Sequence, residues 1–341
     1  MSKGAVVISL DFELAWGGRD KQDPANYADE LSQTRPIIKA MLEVFAKYHI
    51  SATWAVVGHL MLDSATAVGG RMHPEMPRPQ THSATTDWYD GVPEGNFHTE
   101  PFYYAPDVVD MILACPTPQE LACHTFSHIE VGSPICSEEL AEAEFRRCKE
   151  LAQKWGKDLV SVVFPRNCPG HLDVLRRLGY RCFRGRNSEW YWLVWPEQIL
   201  VASTAGKLGY TFLSYLQVLL RLVDEKFAFT PPILPVRKNQ GLWEIPHSMF
   251  FPGYTGPAKF TTPNDRVKKA LKGLKAAVQK KRIFSLWTHP HNLARGYDDL
   301  FPAFEKICKA IASARDRNEL DVLTMREVAD LLDQNARTEW L

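Results

Sequence analysis

The chain has 341 residues, 45% hydrophobic and 23% charged. This composition excludes disordered and fibrous classes and leaves one large α/β barrel or two smaller domains. The formal net charge is 0, so no overall field draws nucleic acid or an anionic membrane, although a local basic patch stays open. No apolar stretch approaches the roughly 20 residues of a spanning helix, and no secretory leader is visible. The seven cysteines are scattered and make no paired Cys-x-x-Cys spacing. Reduced thiols in a cytoplasmic protein are the expectation.

Ala5–Ile8 is an apolar run that predicts a buried strand leading into Ser9-Leu10-Asp11-Phe12-Glu13. A period of two puts Asp11 and Glu13 on one side of the strand end. Two acids there need a cation, a base or hydrogen bonds. Trp16 follows in a loop that reaches toward the same place. A helical pattern begins at Thr34, with Pro36 suited to a first turn, and Ser51–Gly58 predicts a second strand. Strand, helix, strand of this length implies a parallel pair.

Residues 63–104 are rich in proline, glycine and aromatics and predict an ordered, packed insertion. Trp88 and Tyr89 within it are either sugar-contacting rings or filler of a satellite core. Beyond it, strands are expected at Glu120–Cys123, Val160–Phe164, Arg181–Gly185, Leu242–Pro246, Ile283–Trp287 and Asp321–Leu323, with helices between. Residues 186–240 form a second irregular stretch. An apolar helix is expected there over Leu208–Phe227, buried or at a subunit contact ahead of a lipid-facing role. Strand–helix alternation with acids, histidines and arginines at strand ends predicts a single domain over 1–341, a parallel β/α barrel whose site lies at the carboxyl ends of the strands.

His124 and His128 stand four apart after a strand, a spacing that lets both imidazoles share a metal if they open a helix or share a turn. Either Asp11 or Glu13 supplies a third ligand and the other is then free as a general base. The same acids would also suit a salt bridge to Arg166 or Arg184, and Arg166 at a strand end suits holding a carboxylate base. His289 ends another strand and suits a general acid, with His291 as a rival.

These segments resemble the polysaccharide deacetylase, or NodB-homology, family of carbohydrate esterases, from Ser9 to about Leu332. Asp11-Phe12-Glu13 is similar to an acid, any residue, acid form of the first motif, which more often carries two adjacent aspartates. His124-Thr125-Phe126-Ser127-His128 matches the second motif. Arg166 matches the arginine of the third, here Arg-Asn-Cys-Pro-Gly, and Leu286-Trp287-Thr288-His289 the last. Asn187–Trp190 is the nearest match to the fourth motif and takes no role. The resemblance implies a distorted, seven-stranded TIM-like barrel with long insertions and a metal-dependent hydrolase of N-acyl sugars. It implies Asp11 as base, Arg166 as its clamp and His289 as acid. Glu13, His124 and His128 would hold one divalent metal, zinc first, with cobalt, nickel or iron as alternatives. Trp16, Trp88 and Tyr89 are expected at the substrate. The expected partner is an N-acylated amino sugar or glycan precursor of surface polysaccharide, with no nucleic acid and with peripheral membrane contact open. A cyclic amide or imide hydrolase and a sugar-binding barrel without turnover are the rival readings.

Overall fold

A computed structural model describes residues 3–80, 87–186, 219–220, 222–229, 233–335 and 337–341. In chain order the elements are β1 (Gly4–Phe12), α1 (Ala28–Tyr48), β2 (Thr53–Val56), β3 (Ser64–Ala65), β4 (Gly95–Asn96), α2 (Pro106–Leu113), β5 (Glu120–Cys123), α3 (Glu138–Ala152) and β6 (Ser161–Val162). Then come α4 (Leu172–Arg177), β7 (Cys182–Gly185), β8 (Arg237–Asn239), β9 (Leu242–Pro246), β10 (Met249–Phe250) and α5 (Pro263–Lys280). The last are β11 (Ile283–Thr288), α6 (Tyr297–Asp316), β12 (Leu320–Leu323) and α7 (Met325–Asp333). Residues 222–227 are also helical. Residues 219–220 are helical too; residues 208–218 and 221 of the expected helix, and Asn187–Trp190, lie outside the described residues.

Among the described residues the main sheet runs β10-β11-β1-β2-β5-β6-β7-β9-β8, and β12 pairs with β1. The eight strands from β10 to β9 pair in parallel. β8 is the antiparallel addition at one end. The result is a curled half-barrel of mixed α/β type, as the strand–helix alternation predicts. β1 is its centre. Its second half, Ser9–Phe12, pairs with β2, and its first half, Gly4–Val7, pairs with β12, while β11 runs along the other side.

β1 shows the period of two directly. Val6, Ile8, Leu10 and Phe12 belong to the large core under the helices. Ala5 and Val7 belong to a smaller cluster inside the curl, closed by Met325, Val328, Ala329 and Leu332 of α7 and by Trp340. Ser9 and Asp11 continue the inner row, so the strand delivers an acid into the mouth of the curl. Polar residues above an apolar floor are the pattern of a site at the carboxyl ends of parallel strands.

One helix differs from expectation. α1 starts at Ala28, and Pro36 lies inside it. Asp29 and Glu30 favour the first turn. Arg35, bonded to Asp107 at 2.9 Å and to the Tyr104 carbonyl at 3.0 Å, fastens the chain beside the proline. α6 also has a proline inside it, Pro302. The described part of 63–104 is ordered. Tyr89, Tyr103 and Tyr104 are buried in the main core, and Trp88, Phe97 and Phe102 pack against it.

Candidate metal centre and active site

Five strand ends meet here. Just past β1, Glu13 places Oε1 3.0 Å from His124 Nε2 and 3.2 Å from His128 Nε2. His124 follows β5 directly and its Nδ1 lies 2.6 Å from the Val163 carbonyl. That carbonyl accepts the Nδ1 proton, so Nε2 presents a lone pair to a carboxylate oxygen. Two acceptors at 3.0 Å repel unless a proton or a cation joins them. The three ligand atoms of Glu13, His124 and His128 all lie within 4.8 Å of one another and all three residues are buried. Two imidazoles and one carboxylate with an outer partner on His124 fit a divalent metal.

The histidine pair does not sit on a helix. Thr125 and His128 adopt positive φ, 56° and 60°, and the segment is a loop. Other contacts fix it. Gly58 N–H donates to the Thr125 carbonyl at 2.8 Å and His59 N–H to the Phe126 carbonyl at 2.9 Å. Ser127 donates through its N–H and its hydroxyl to the two oxygens of Glu144, each at 2.7 Å. Glu144 lies on α3 and is fully buried. Burial pushes its carboxyl up to about 7, against the bonds from Ser127.

Asp11 is gripped by an arginine, but not by Arg166. Arg184, on the inner row of β7, gives Nη1 to Oδ1 and Nη2 to Oδ2, both at 2.6 Å. Its other bonds go to Ser9 Oγ at 3.1 Å and Asn167 Oδ1 at 3.2 Å, and it lies over the Trp287 ring at 4.3 Å. Burial acts to raise the Asp11 carboxyl, yet Arg184, with help from His124 and His289, brings it below its usual value. Arg166 turns away. It sits in a one-turn helix after β6 with φ 52°, and its guanidinium binds both oxygens of Asp20 at 2.7 Å and also Glu130. The arginine that pairs with Asp11 is therefore Arg184 and not the expected Arg166. A buried, inward-facing arginine in an apolar strand was the signal, since such a group needs a carboxylate partner.

His289 Nε2 lies 3.3 Å from Glu13 Oε1 and 3.8 Å from Asp11 Oδ2. Its Nδ1 is 3.2 Å from Asn292 Nδ2. Nε2 is the ring nitrogen that faces the acids. Burial lowers the His289 pKa, but Glu13 and Asp11 outweigh it and the net shift is upward. The His291 ring lies beside that of His289, centres 5.2 Å apart and planes tilted by 38°, and burial pushes it down to about 4, the neighbouring His289 acting in the same direction. His289, not His291, meets the acids. Glu13 is held well below the usual carboxylate range. Burial opposes this, and His289, His128 and His124 overcome it.

The expected substrate aromatics divide. Trp16 is 1% exposed and packs on the His59 ring at 4.4 Å. Tyr89 is 3% exposed and lies against His73 and Phe126. Neither ring offers a surface to a sugar, and both fill the core between the insertion and the metal loop. Trp88 is half-buried, and its Nε1 donates to Ser127 Oγ at 2.8 Å. It braces the loop that carries the histidines.

The sequence matches no protein-family model, and no curated protein is similar to it in sequence. Solved structures do match the fold. A protein of Mycobacterium smegmatis assigned as a polysaccharide deacetylase aligns over 99% of this chain and 93% of its own, with TM-score 0.59 and 14% identity. One from Pseudomonas aeruginosa PAO1, with the same kind of assignment, aligns over 98% and 92%, with TM-score 0.59 and 9% identity. The Puue allantoinase aligns over 98% and 91%, with TM-score 0.58 and 11% identity. The fold is a NodB-like half-barrel. At these identities the likeness is one of fold, and the chemistry rests on the site.

Proposed function

We propose that this chain is a metal-dependent hydrolase that removes an acetyl or formyl group from the nitrogen of an amino sugar. The observation that carries the reading is the meeting of Glu13, His124 and His128 with an arginine-held acid and a proton-bearing histidine, all at one mouth. Glu13, His124 and His128 would hold a divalent ion, zinc by our preference, which would supply Lewis-acid chemistry. Asp11 is kept ionised by Arg184 and takes a proton from the attacking water. The water oxygen bonds to the acyl carbon. His289, in the imidazolium form that the neighbouring acids favour, gives its Nε2 proton to the sugar nitrogen as the carbon–nitrogen bond breaks. A carboxylate and a free amine leave.

The scattered cysteines, with no Cys-x-x-Cys spacing, support a reducing, cytoplasmic setting, and we place the substrate among precursors of surface polysaccharide. No described helix is long and apolar enough to cross a membrane. The fold likeness to an allantoinase supports a second reading, opening of a cyclic amide by the same groups. Acyl release from a panel of N-acetyl and N-formyl amino sugars separates these readings. Turnover that falls in Asp11→Asn and His289→Gln while metal stays bound supports the proposal. Opening of cyclic amides alone moves the assignment to the second reading. Bound metal with no turnover of either class points to a binding barrel.

A further inference from the structure

The segment 222–229 carries its polarity inside out. Asp224 and Glu225 are 3% and 6% exposed, while Phe227 and Phe229 are 64% and 68% exposed. The inward acids meet Lys269 of α5, whose Nζ lies 2.5 Å from Asp224 Oδ2 and 2.9 Å from Glu225 Oε1. Burying three charges while two phenylalanines face water runs against the ordinary sorting of a surface segment. The arrangement also removes the segment's negative charge from its outer face.

What remains outside is cationic and apolar. α5 has five lysines and a single acid, Asp265, which is spent in its own N-terminal capping box. Lys268, Lys272 and Lys275 lie on its exposed face, with Leu271 between them. Lys272 reaches the Ala228 carbonyl, and the Phe229 carbonyl at 3.0 Å, which joins the two elements side by side. Lys226 is exposed beside Phe227. Phe260, just ahead of α5, is 68% exposed under the Lys259 ammonium, 5.2 Å from its ring centre. Leu219 adds a further exposed aliphatic group.

We infer that this face, Phe227, Phe229 and Phe260 ringed by Lys226, Lys268 and Lys275, docks the protein on an anionic lipid surface. Lysines draw the face to lipid phosphates, and the exposed rings enter the boundary between headgroup and acyl chain. The chain's overall charge of zero makes the attraction a property of this face alone. Leu219 and Leu271 favour lipid over a nucleic acid, because aliphatic groups give bases no stacking platform. The inference stands apart from the proposed chemistry at the barrel mouth.

The test is co-sedimentation of the full chain with phosphatidylcholine vesicles, with and without phosphatidylglycerol, at low and high salt. The wild type should bind the phosphatidylglycerol vesicles and release in high salt. Lys226→Gln/Lys268→Gln/Lys275→Gln should weaken binding by about fivefold per lysine. Phe227→Ser/Phe229→Ser/Phe260→Ser should abolish what binding survives salt. Unchanged thermal melts would show that the variants stay folded. Absence of binding to anionic vesicles, binding indifferent to both sets of changes, or retention on single-stranded RNA alone would each overturn the inference.

Discussion

Arg184 and Asp11 form a buried two-pronged pair, with both nitrogen–oxygen distances at 2.6 Å and the two side chains 1% and 3% exposed. The pair links β7 to β1 across the inside of the curl. It holds the acid ionised and fixes the direction of both its oxygens. Removing the guanidinium strands a buried carboxylate. Arg184→Met should cost about 3–5 kcal/mol of stability and most of the turnover, read by urea denaturation and by acyl release. Arg166→Met should cost at most about 1 kcal/mol, because its pairs with Asp20 and Glu130 are partly solvated. It should leave turnover near wild type. The reverse pattern would return the clamp to Arg166.

Glu144 gives a pH signature. Its carboxyl has an ordinary value of 4.5 and about 7 in the folded protein. Between those values the folded state keeps a proton that the unfolded state releases. Stability therefore falls as pH rises through this window, by on the order of 3 kcal/mol in all. His291, pushed down to about 4, contributes the opposite slope up to its ordinary value of 6.5, so wild type alone mixes the two. The difference between wild type and Glu144→Gln isolates the glutamate. Urea midpoints measured below 4.5 and above 7 should converge with Glu144→Gln at the acid end and separate at the alkaline end. A constant difference would contradict the assignment.

The proton on His289 Nε2 predicts a large and specific loss. His289→Gln should lower turnover roughly 10²- to 10⁴-fold with metal content unchanged. His291→Gln should have a far smaller effect, since His291 is not the ring that meets the acids. Substrates with better leaving amines should recover part of the His289→Gln loss and none of an Asp11→Asn loss.

Trp88 tests the brace on the metal loop. Trp88→Phe keeps most of the ring but removes the donor to Ser127 Oγ. A loss of about 1 kcal/mol in thermal or urea unfolding is expected, together with weaker metal retention in a chelator competition. Unchanged retention would show that Glu144 alone holds Ser127.

Much of this was legible in the sequence because local pattern and burial agree. Leu242–Pro246 and Glu120–Cys123 fold with the boundaries their composition predicts. The inner row Ala5, Val7, Ser9 and Asp11 follows from a period of two. The two failures have physical causes. Arg166 and Arg184 both follow apolar runs, but only a residue inside the pleat has its direction set by alternation. Arg166 lies beyond its strand in a left-handed turn that points it at Asp20. Trp16 and Tyr89 looked available because aromatics in irregular segments carry no periodicity. Their burial depends on His59, His73 and Phe126, brought together from distant parts of the chain. Glu144 was invisible for a related reason: on an amphipathic helix rich in glutamate, nothing local marks the one that turns inward to Ser127.

The most direct test of the account is the metal content of the purified protein by elemental analysis, set beside His124→Ala/His128→Ala. The geometry of Glu13, His124 and His128 predicts a single divalent ion per wild-type chain, absent from the double variant while its fold persists by circular dichroism. A wild type that holds no metal after refilling with zinc, cobalt, nickel and iron would contradict it. The hydrolase mechanism would then fail.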